Sequence, residues 1–299
     1  MEKMKISIIT VTNRPGGLDM QWSAIKKQTF DDFEWVVCDT LADRRMELLR
    51  EFTHNDGRIK HIQQNPRKEG SVTGLNQAEN QAIQNASGEL CIMLQDYIWI
   101  APDCLERYWY HFENTGGKAL ITGVGNIYGK PSREDIVNDQ GLLTVFKEPF
   151  VGKPEQITWK DPRMRTDQGT FYECWPNDIE FNFCMVPYKC FEDLGGMDED
   201  YDKVGHGWDN VNIAQRADML GYRFYIDQTI ECRGLDHDYF WPNPVKINQV
   251  KYPTGQFHNQ RMDDIKAGRF PLRLDYLKPR NYNNENKPKE ENSGVHNNQ

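Results

Sequence analysis

The residues best suited to chemistry in this sequence are polar groups that close apolar runs. Thr10, Thr12, Asn13 and Arg14 end the first run, Asp39 ends the second, and Gln95-Asp96-Tyr97 follows Leu90-Cys91-Ile92-Met93-Leu94. Their types suit a nucleotide. Thr10 and Thr12 offer hydroxyls, Asn13 and Arg14 offer donors near phosphates, and Asp39 offers an acceptor for a base N–H. A single aspartate at such a place also serves merely to end a strand in a turn. Several polar groups at several strand ends point instead to a ligand, because open parallel sheets bind ligands at the carboxyl ends of their strands.

The elements that must position these groups alternate along the chain. Ile6-Ser7-Ile8-Ile9-Thr10-Val11 reads as a buried strand, and after the turn signal Arg14-Pro15-Gly16-Gly17 the residues Leu18, Trp22 and Ile25 recur at helical spacing to about Lys27. Glu34 to Cys38 is a second strand. Met46, Leu49 and Phe52 mark a helix, Ile59 to Ile62 a third strand, Leu75, Ala78, Ala82 and Ile83 another helix, and Leu90 to Leu94 a fourth strand. Such alternation specifies a parallel sheet with helices on its faces. Beyond Pro102 the pattern predicts a helix near Leu105 to Phe112, a strand near Ala119 to Gly123, and a polar irregular stretch from about Gly129 to Asp178. A stretch of that length is more often functional than idle. A strand from Phe181 to Val186, helices around Tyr188 to Leu194 and Asp209 to Leu220, and a strand from Arg223 to Ile226 follow. Asn281 to Gln299 holds almost nothing apolar to offset its ordering entropy, and is expected to be a disordered tail.

Composition narrows the classes. The 299 residues allow one large domain or two small ones, and a mean hydropathy of −0.79 argues for a soluble, packed protein. No run approaches the roughly 18 apolar residues of a spanning helix. Met1-Glu2-Lys3-Met4-Lys5 leads into a strand rather than a signal peptide. A net charge of −9 repels nucleic-acid phosphates and anionic lipid, so nonspecific binding to either is not expected, although a local basic patch can still hold a diphosphate. The 7 cysteines include no Cys-x-x-Cys pair and fit buried free thiols in a reducing, cytoplasmic setting.

In order and spacing the chain resembles family 2 glycosyltransferases of the GT-A fold. Ile6 to Pro15 and Gln28 to Asp39 are similar to that family's opening; Gly74-Leu75-Asn76-Gln77-Ala78, Ala86-Ser87-Gly88-Glu89 and Leu94-Gln95-Asp96-Tyr97 are similar to its asparagine-bearing helix and the strand leading to its Asp-x-Asp. Leu194-Gly195-Gly196-Met197-Asp198-Glu199, Gly207-Trp208-Asp209-Asn210, Arg216 and Gly221-Tyr222-Arg223-Phe224 resemble its acceptor-side half. The likeness runs from Lys5 to about His237. It implies an α/β protein of GT-A type, with a Rossmann-like, mostly parallel central sheet, helices on both faces and an irregular acceptor-side half. Residues 1–278 would form a single domain, with 1–100 binding the nucleotide-sugar, 101–278 the acceptor, and 279–299 the tail.

The resemblance also implies roles. A nucleotide-sugar donor, a UDP-sugar by the likeness of Asp39, would meet Thr10, Thr12, Asn13, Arg14, Asp39, Asn76, Gln95 and Asp96, while Trp208 and Asn210 would face a sugar. Gln95-Asp96-Tyr97 replaces both usual aspartates of the Asp-x-Asp and keeps one carboxylate between them. A divalent ion, Mn2+ or Mg2+, would be held by Asp96 and His237, with Asp236 or Asp238 as fallback ligands; the alternatives are a site without metal and a solvated loop histidine. Asp209 would be the base of an inverting transfer to a glycan or other hydroxyl-bearing acceptor, or a helix N-cap, with Asp178 as substitute. Arg163 and Arg165 would form a lid over the diphosphate or lie in a solvated loop. Two other functions stand beside transfer. A sugar-phosphate nucleotidyltransferase would want a Gly-rich, basic loop after the first strand, which Thr12-Asn13-Arg14-Pro15-Gly16-Gly17 matches poorly, and a noncatalytic nucleotide-sugar-binding protein would bind donor without turnover.

Overall fold

A computed structural model describes residues 4–13, 17–129, 136–139, 143–146, 154–235 and 253–280. Arg14, Asp236, His237, Asp238 and the tail from Asn281 lie outside the described residues.

The predicted alternation is realised. β1 (Ile6–Thr12), α1 (Leu18–Ile25), β2 (Phe33–Asp39), α2 (Ala42–Phe52), β3 (Ile59–Gln63), α3 (Leu75–Asn85) and β4 (Leu90–Leu94) follow in order. β5 (Ile98–Ile100), α4 (Cys104–Asn114), β6 (Ala119–Tyr128), β7 (Ile136–Asp139), β8 (Leu143–Phe146), β9 (Ile157–Trp159) and β10 (Phe171–Glu173) come next. The chain continues with β11 (Phe183–Pro187), α5 (Tyr188–Leu194), α6 (Tyr201–Val204), α7 (Asp209–Asp218), β12 (Arg223–Leu235) and α8 (Thr254–Lys266). The central sheet runs β10-β12-β6-β11-β4-β1-β2-β3, with β5 and β9 paired at its side. β4, β1, β2 and β3 are mutually parallel; β11 is antiparallel to both β4 and β6.

Because β4 returns to the far side of β1 from β2, the strand order reverses between β1 and β4, the place where open α/β sheets form a crevice at the carboxyl ends of their strands. Apolar side chains alternate across the sheet into two cores. Ile8, Trp35, Val37 and Ile92 pack with α1, α2 and α4 on one face; Ile9, Val36, Cys38 and Met93 pack with α3, α5 and α7 on the other. All 7 cysteines are free and all but Cys174 are buried, as their apolar surroundings in the sequence suggested.

Four features escaped the periodicity: β7 to β10, each three or four residues long, lie within the stretch expected to be irregular, and three others stand outside it. β6 and β12 run on to Tyr128 and Leu235, β5 and α6 are too short to carry a period, and α8 with the segment after it has a polar pattern. That last segment is a strap. Leu274 N–H donates to Leu194 O at 2.8 Å, Tyr276 N–H to Gly195 O at 3.1 Å, and Arg280 donates to Ala86 O at 2.5 Å and Gly88 O at 2.8 Å. Arg216, fully buried, ties the strap down by donating to Leu272 O at 3.0 Å and Gly196 O at 3.1 Å.

The strap explains the Gly195-Gly196 pair. Gly195 has φ 69°, and a Cβ there would lie 1.5 Å from Leu274 O. Gly195→Ala should therefore cost at least about 2 kcal/mol, from left-handed backbone strain plus overlap with the strap. Gly221→Ala, at φ 77° with open space around it, should cost about 1 kcal/mol from strain alone. Urea unfolding midpoints measure both.

Candidate functional site

At the β1–β4 crevice the expected polar groups meet, and the geometry sorts them. Thr12 Oγ1 donates to Asp96 Oδ2 at 2.6 Å across the crevice. Asp96 is 4% exposed, so its carboxylate is held in place rather than free in water. Asn13 is exposed, and Gln95 is half-buried with its backbone carbonyl accepting from Gln21 Nε2 at 2.7 Å. Tyr97 turns into the core at 6% exposure. The third position of the motif therefore packs in the core.

Thr10 and Asp39 are committed inside the protein. Thr10 is fully buried; its hydroxyl donates to Leu94 O at 3.0 Å and accepts from Trp35 Nε1 at 3.0 Å. Asp39, also fully buried, accepts from Arg45 Nε at 2.6 Å, Arg45 Nη2 at 2.8 Å, His61 Nε2 at 2.7 Å and Leu41 N–H at 2.8 Å. Those four donors fill the acceptor capacity of a carboxylate. Burial alone would raise the Asp39 pKa, but the bonds from His61 and Arg45 outweigh it and hold the carboxyl below the usual range. Asp39 here is the anchor of a buried ion-pair network at the end of β2. Arg45 was missed in the sequence because a helix-borne arginine gives no sign that it turns inward.

A second group forms where α3 and α6 pack and α7 begins. Asp202, 1% exposed, caps the amino end of α3: its Oδ1 accepts from Thr73 Oγ1 at 2.8 Å and from Asn76 N and Nδ2 at 3.2 Å each, and its Oδ2 accepts from Gln77 N at 3.0 Å. A carboxylate at a helix amino end is favoured by the unpaired N–H groups there. Asn76 is thus a structural partner of Asp202, and its own Oδ1 is buried without a partner among the described residues. Asn80, one turn on, clasps the Gly-Gly-Met loop through bonds of 3.0 Å to Met197 O and 2.8 Å from Met197 N.

Asp209 is the first residue of α7 and not its cap. Trp208 occupies the cap position at φ 69°, a left-handed conformation that costs a bulky residue strain and is commonest at functional sites. Trp208 is 44% exposed, with its ring 5.0 Å from that of His258. Asp209 is 9% exposed; burial raises its pKa, with the Asp202 charge adding to the rise, while His206 and the N–H groups of Asp209 and Asn210 oppose it. A carboxylate so placed is a stronger base than one in water. Asn210 donates to Ile179 O at 2.9 Å, and Asn182 O accepts from Gln95 N at 3.1 Å, so residues 179–182 connect the start of α7 to the end of β4.

Asp178 caps its own 3-10 turn, accepting from Trp175 N at 3.0 Å. Arg163 is held by the buried Asp161 at 2.7 and 2.8 Å rather than lying over the crevice or in a solvated loop, whereas Arg165 forms an exposed pair with Asp167. Glu79 and Asp202 were missed. Glu79 had a signal, since it falls on the apolar face of α3 with Leu75 and Ala82; Asp202 had none, because its partners lie 125 to 129 residues away.

For a divalent ion the described residues present no group of three or more His, Cys, Asp or Glu side chains. Asp96 is a fitting hard oxygen ligand in the crevice, and an ion that bridges a diphosphate can complete its shell with phosphate and water. A cavity of about 310 Å³ lies elsewhere, between α2 and β3, lined by residues that include Leu49, Ile59 and His61. No helix among the described residues is long and apolar enough to cross a membrane.

The Glycosyl transferase family 2 profile matches residues 7–172. Among solved structures the fold is similar to that of GalNAc-T7 with UDP, GalNAc and Mn2+, at 17% identity and TM-score 0.55, covering 80% of this chain and 45% of that one. It is also similar to Staphylococcus aureus TarS 1–349 in complex with UDP, at 13% identity and TM-score 0.51, covering 78% of this chain and 61% of that one. The chain spans less than two thirds of either structure. Among curated proteins no sequence relative matches.

The Asp39 network yields a prediction. Arg45→Met leaves a buried charge without its main partner and should cost about 3 to 5 kcal/mol in urea unfolding. Because the folded Asp39 pKa is depressed, its ionic contribution is complete above the unfolded value of about 4 and is lost as pH falls through the lower folded value. The stability gap between wild type and Asp39→Asn should therefore narrow in acid.

Proposed function

The chain belongs to glycosyl transferase family 2, and from that membership we propose that it is a GT-A glycosyltransferase moving a sugar from a UDP-sugar to an acceptor hydroxyl with inversion. The observation that carries the proposal is Asp209: a nearly buried carboxylate with raised basicity, opening α7 beside an exposed, strained Trp208. In this reading the diphosphate lies at the β1–β4 crevice near Thr12, Asn13 and Asp96. Asp209 takes the acceptor O–H proton as the oxygen bonds to the anomeric carbon and the bond from that carbon to the diphosphate oxygen breaks. The nucleoside diphosphate leaves from the opposite face.

Asp96 would hold a divalent ion, Mn2+ or Mg2+, with His237 as the second ligand, and the ion would supply charge to offset that of the leaving diphosphate. Trp208 offers a ring face to the acceptor sugar. The N-terminal segment to about residue 100 serves the donor and the remainder to about 278 the acceptor. The bonds that saturate Asp39 favour a role for it in holding the end of β2, with the base N–H met elsewhere. Free buried cysteines support a reducing, cytoplasmic setting.

Asp209→Asn should lower transfer by at least about a hundredfold, the scale of a lost general base, while UDP still raises the melting temperature as in wild type. Loss of UDP binding along with transfer would place Asp209 in the donor site instead. Removing divalent metal with EDTA should shrink the UDP-induced rise, and restoring Mn2+ should recover it. A rise independent of metal would remove the ion from the mechanism.

A further inference from the structure

α8 carries a stripe of inward residues, Thr254, His258, Arg261, Met262 and Ile265, at the three- and four-residue spacing of one helix face. That face packs on α6 and α7, and its first turns meet the loop that holds Trp208. Thr254 Oγ1 donates to His206 O at 3.4 Å. The His258 ring lies 5.0 Å from the Trp208 ring, inclined at 32°. Gly255, three residues before His258 and so on the same side of the helix, leaves space for the indole edge: a Cβ there would lie 3.4 Å from Trp208 Nε1 and 3.7 Å from Cε2. Arg261, one turn on, donates from Nη2 to Asp200 Oδ2 at 2.6 Å and so fastens α8 just before α6.

His258 is an unusual member of this stripe. It is 2% exposed, in a row where Met262 and Ile265 show that alkyl side chains pack. Burial holds its pKa below the usual histidine range, with Lys266 acting in the same direction, so the imidazole is neutral at neutral pH. A neutral imidazole keeps one accepting nitrogen. That nitrogen, Nδ1, accepts from the fully buried Tyr201 hydroxyl at 2.8 Å. Tyr201 begins α6 and packs edge-on against Phe257 at 4.9 Å. The imidazole is thus tied to α6 by a bond and meets Trp208 through its ring, two tasks that a leucine could not perform.

Trp208 needs such a hold. Its left-handed backbone is strained for a bulky residue, and strain of that kind persists only where the surroundings impose it. At 44% exposure the indole is not fixed by burial. Glycine near the start of α8 gives up helix propensity, and the space it leaves is taken by the indole edge.

We propose that α8 holds Trp208 in the pose that presents its indole to the acceptor sugar, with His258 as the positioning residue and Gly255 as the clearance for the ring edge. The proposal rests on Trp208 serving the acceptor in the transfer reaction.

Fluorine-19 NMR of the full chain labelled with 5-fluorotryptophan reads the pose, the Trp208 line being assigned by its loss in Trp208→Phe. His258→Leu and Gly255→Val should each move that line. Gly255→Val removes no side-chain contact, so a line that it leaves unmoved overturns the proposal whether or not His258→Leu folds. Kinetics with a UDP-sugar donor and the methyl glycosides of glucose, galactose, N-acetylglucosamine and N-acetylgalactosamine test the role. His258→Leu should raise the acceptor KM about fivefold, the scale of one aromatic contact, with the donor KM unaltered. The double variant Tyr201→Phe, His258→Phe keeps a ring against the indole, leaves no buried hydroxyl unpaired, and should recover most of that loss. Equal rises in both KM values, or no recovery in the double variant, would mark a merely structural role and overturn the proposal. If UDP-sugar is turned over but no glycoside moves the Trp208 line, Trp208 does not serve the acceptor and the proposal falls with it. If the wild-type protein releases no UDP from any UDP-sugar, the transferase reading itself fails, and the fluorine line still decides whether α8 holds the ring.

Discussion

The cap that Asp202 places on α3 is the contact on which the candidate site depends. Through Thr73, Asn76 and Gln77 it joins two stretches of chain more than 120 residues apart, and it does so at the carboxyl end of the sheet. The unpaired N–H groups of a helix start need acceptors, and a carboxylate from elsewhere in the chain supplies them. Once that bond is made, α6 is anchored, and the chain runs on to Asp209, seven residues later, at the start of α7. Asn80 and the strap repeat the principle, using buried polar bonds to pin the Gly-Gly-Met loop against α3.

The crevice itself is a consequence of topology. Strand order reverses at β1, so Thr12 and Asp96 arrive side by side although 84 residues separate them, and their bond closes the floor of the site. Beside Thr12, at the end of β2, Asp39, Arg45 and His61 form a buried hydrogen-bonded network. Rigid support of this kind lets a few side chains at the rim face solvent: Asn13, Gln95 and Trp208.

Much of this was legible in the sequence. The apolar periods of Ile6 to Leu94 located four strands and three helices, because each element buries a continuous face and so writes its period into the residues. Asp96 stood out because it follows the fourth of those runs, and Asp209 through the likeness of Gly207-Trp208-Asp209-Asn210 to the family's acceptor-side half. What stayed hidden depends on distant partners. Nothing local shows that Asp39 is consumed by Arg45, that Arg163 is locked by Asp161, or that Asp202 caps a helix it does not belong to. β5, α6 and α8 were invisible because they are too short or too polar to carry a period.

The central claim is that a nucleoside diphosphate sits at the β1–β4 crevice, facing the junction that holds Asp209. A crystal structure with UDP and Mn2+ tests it most directly. The account predicts density for the diphosphate beside Thr12 and Asp96, with the open side of the site toward the Asp209 carboxylate. UDP seated instead in the cavity between α2 and β3, or a diphosphate remote from Asp96, would contradict it.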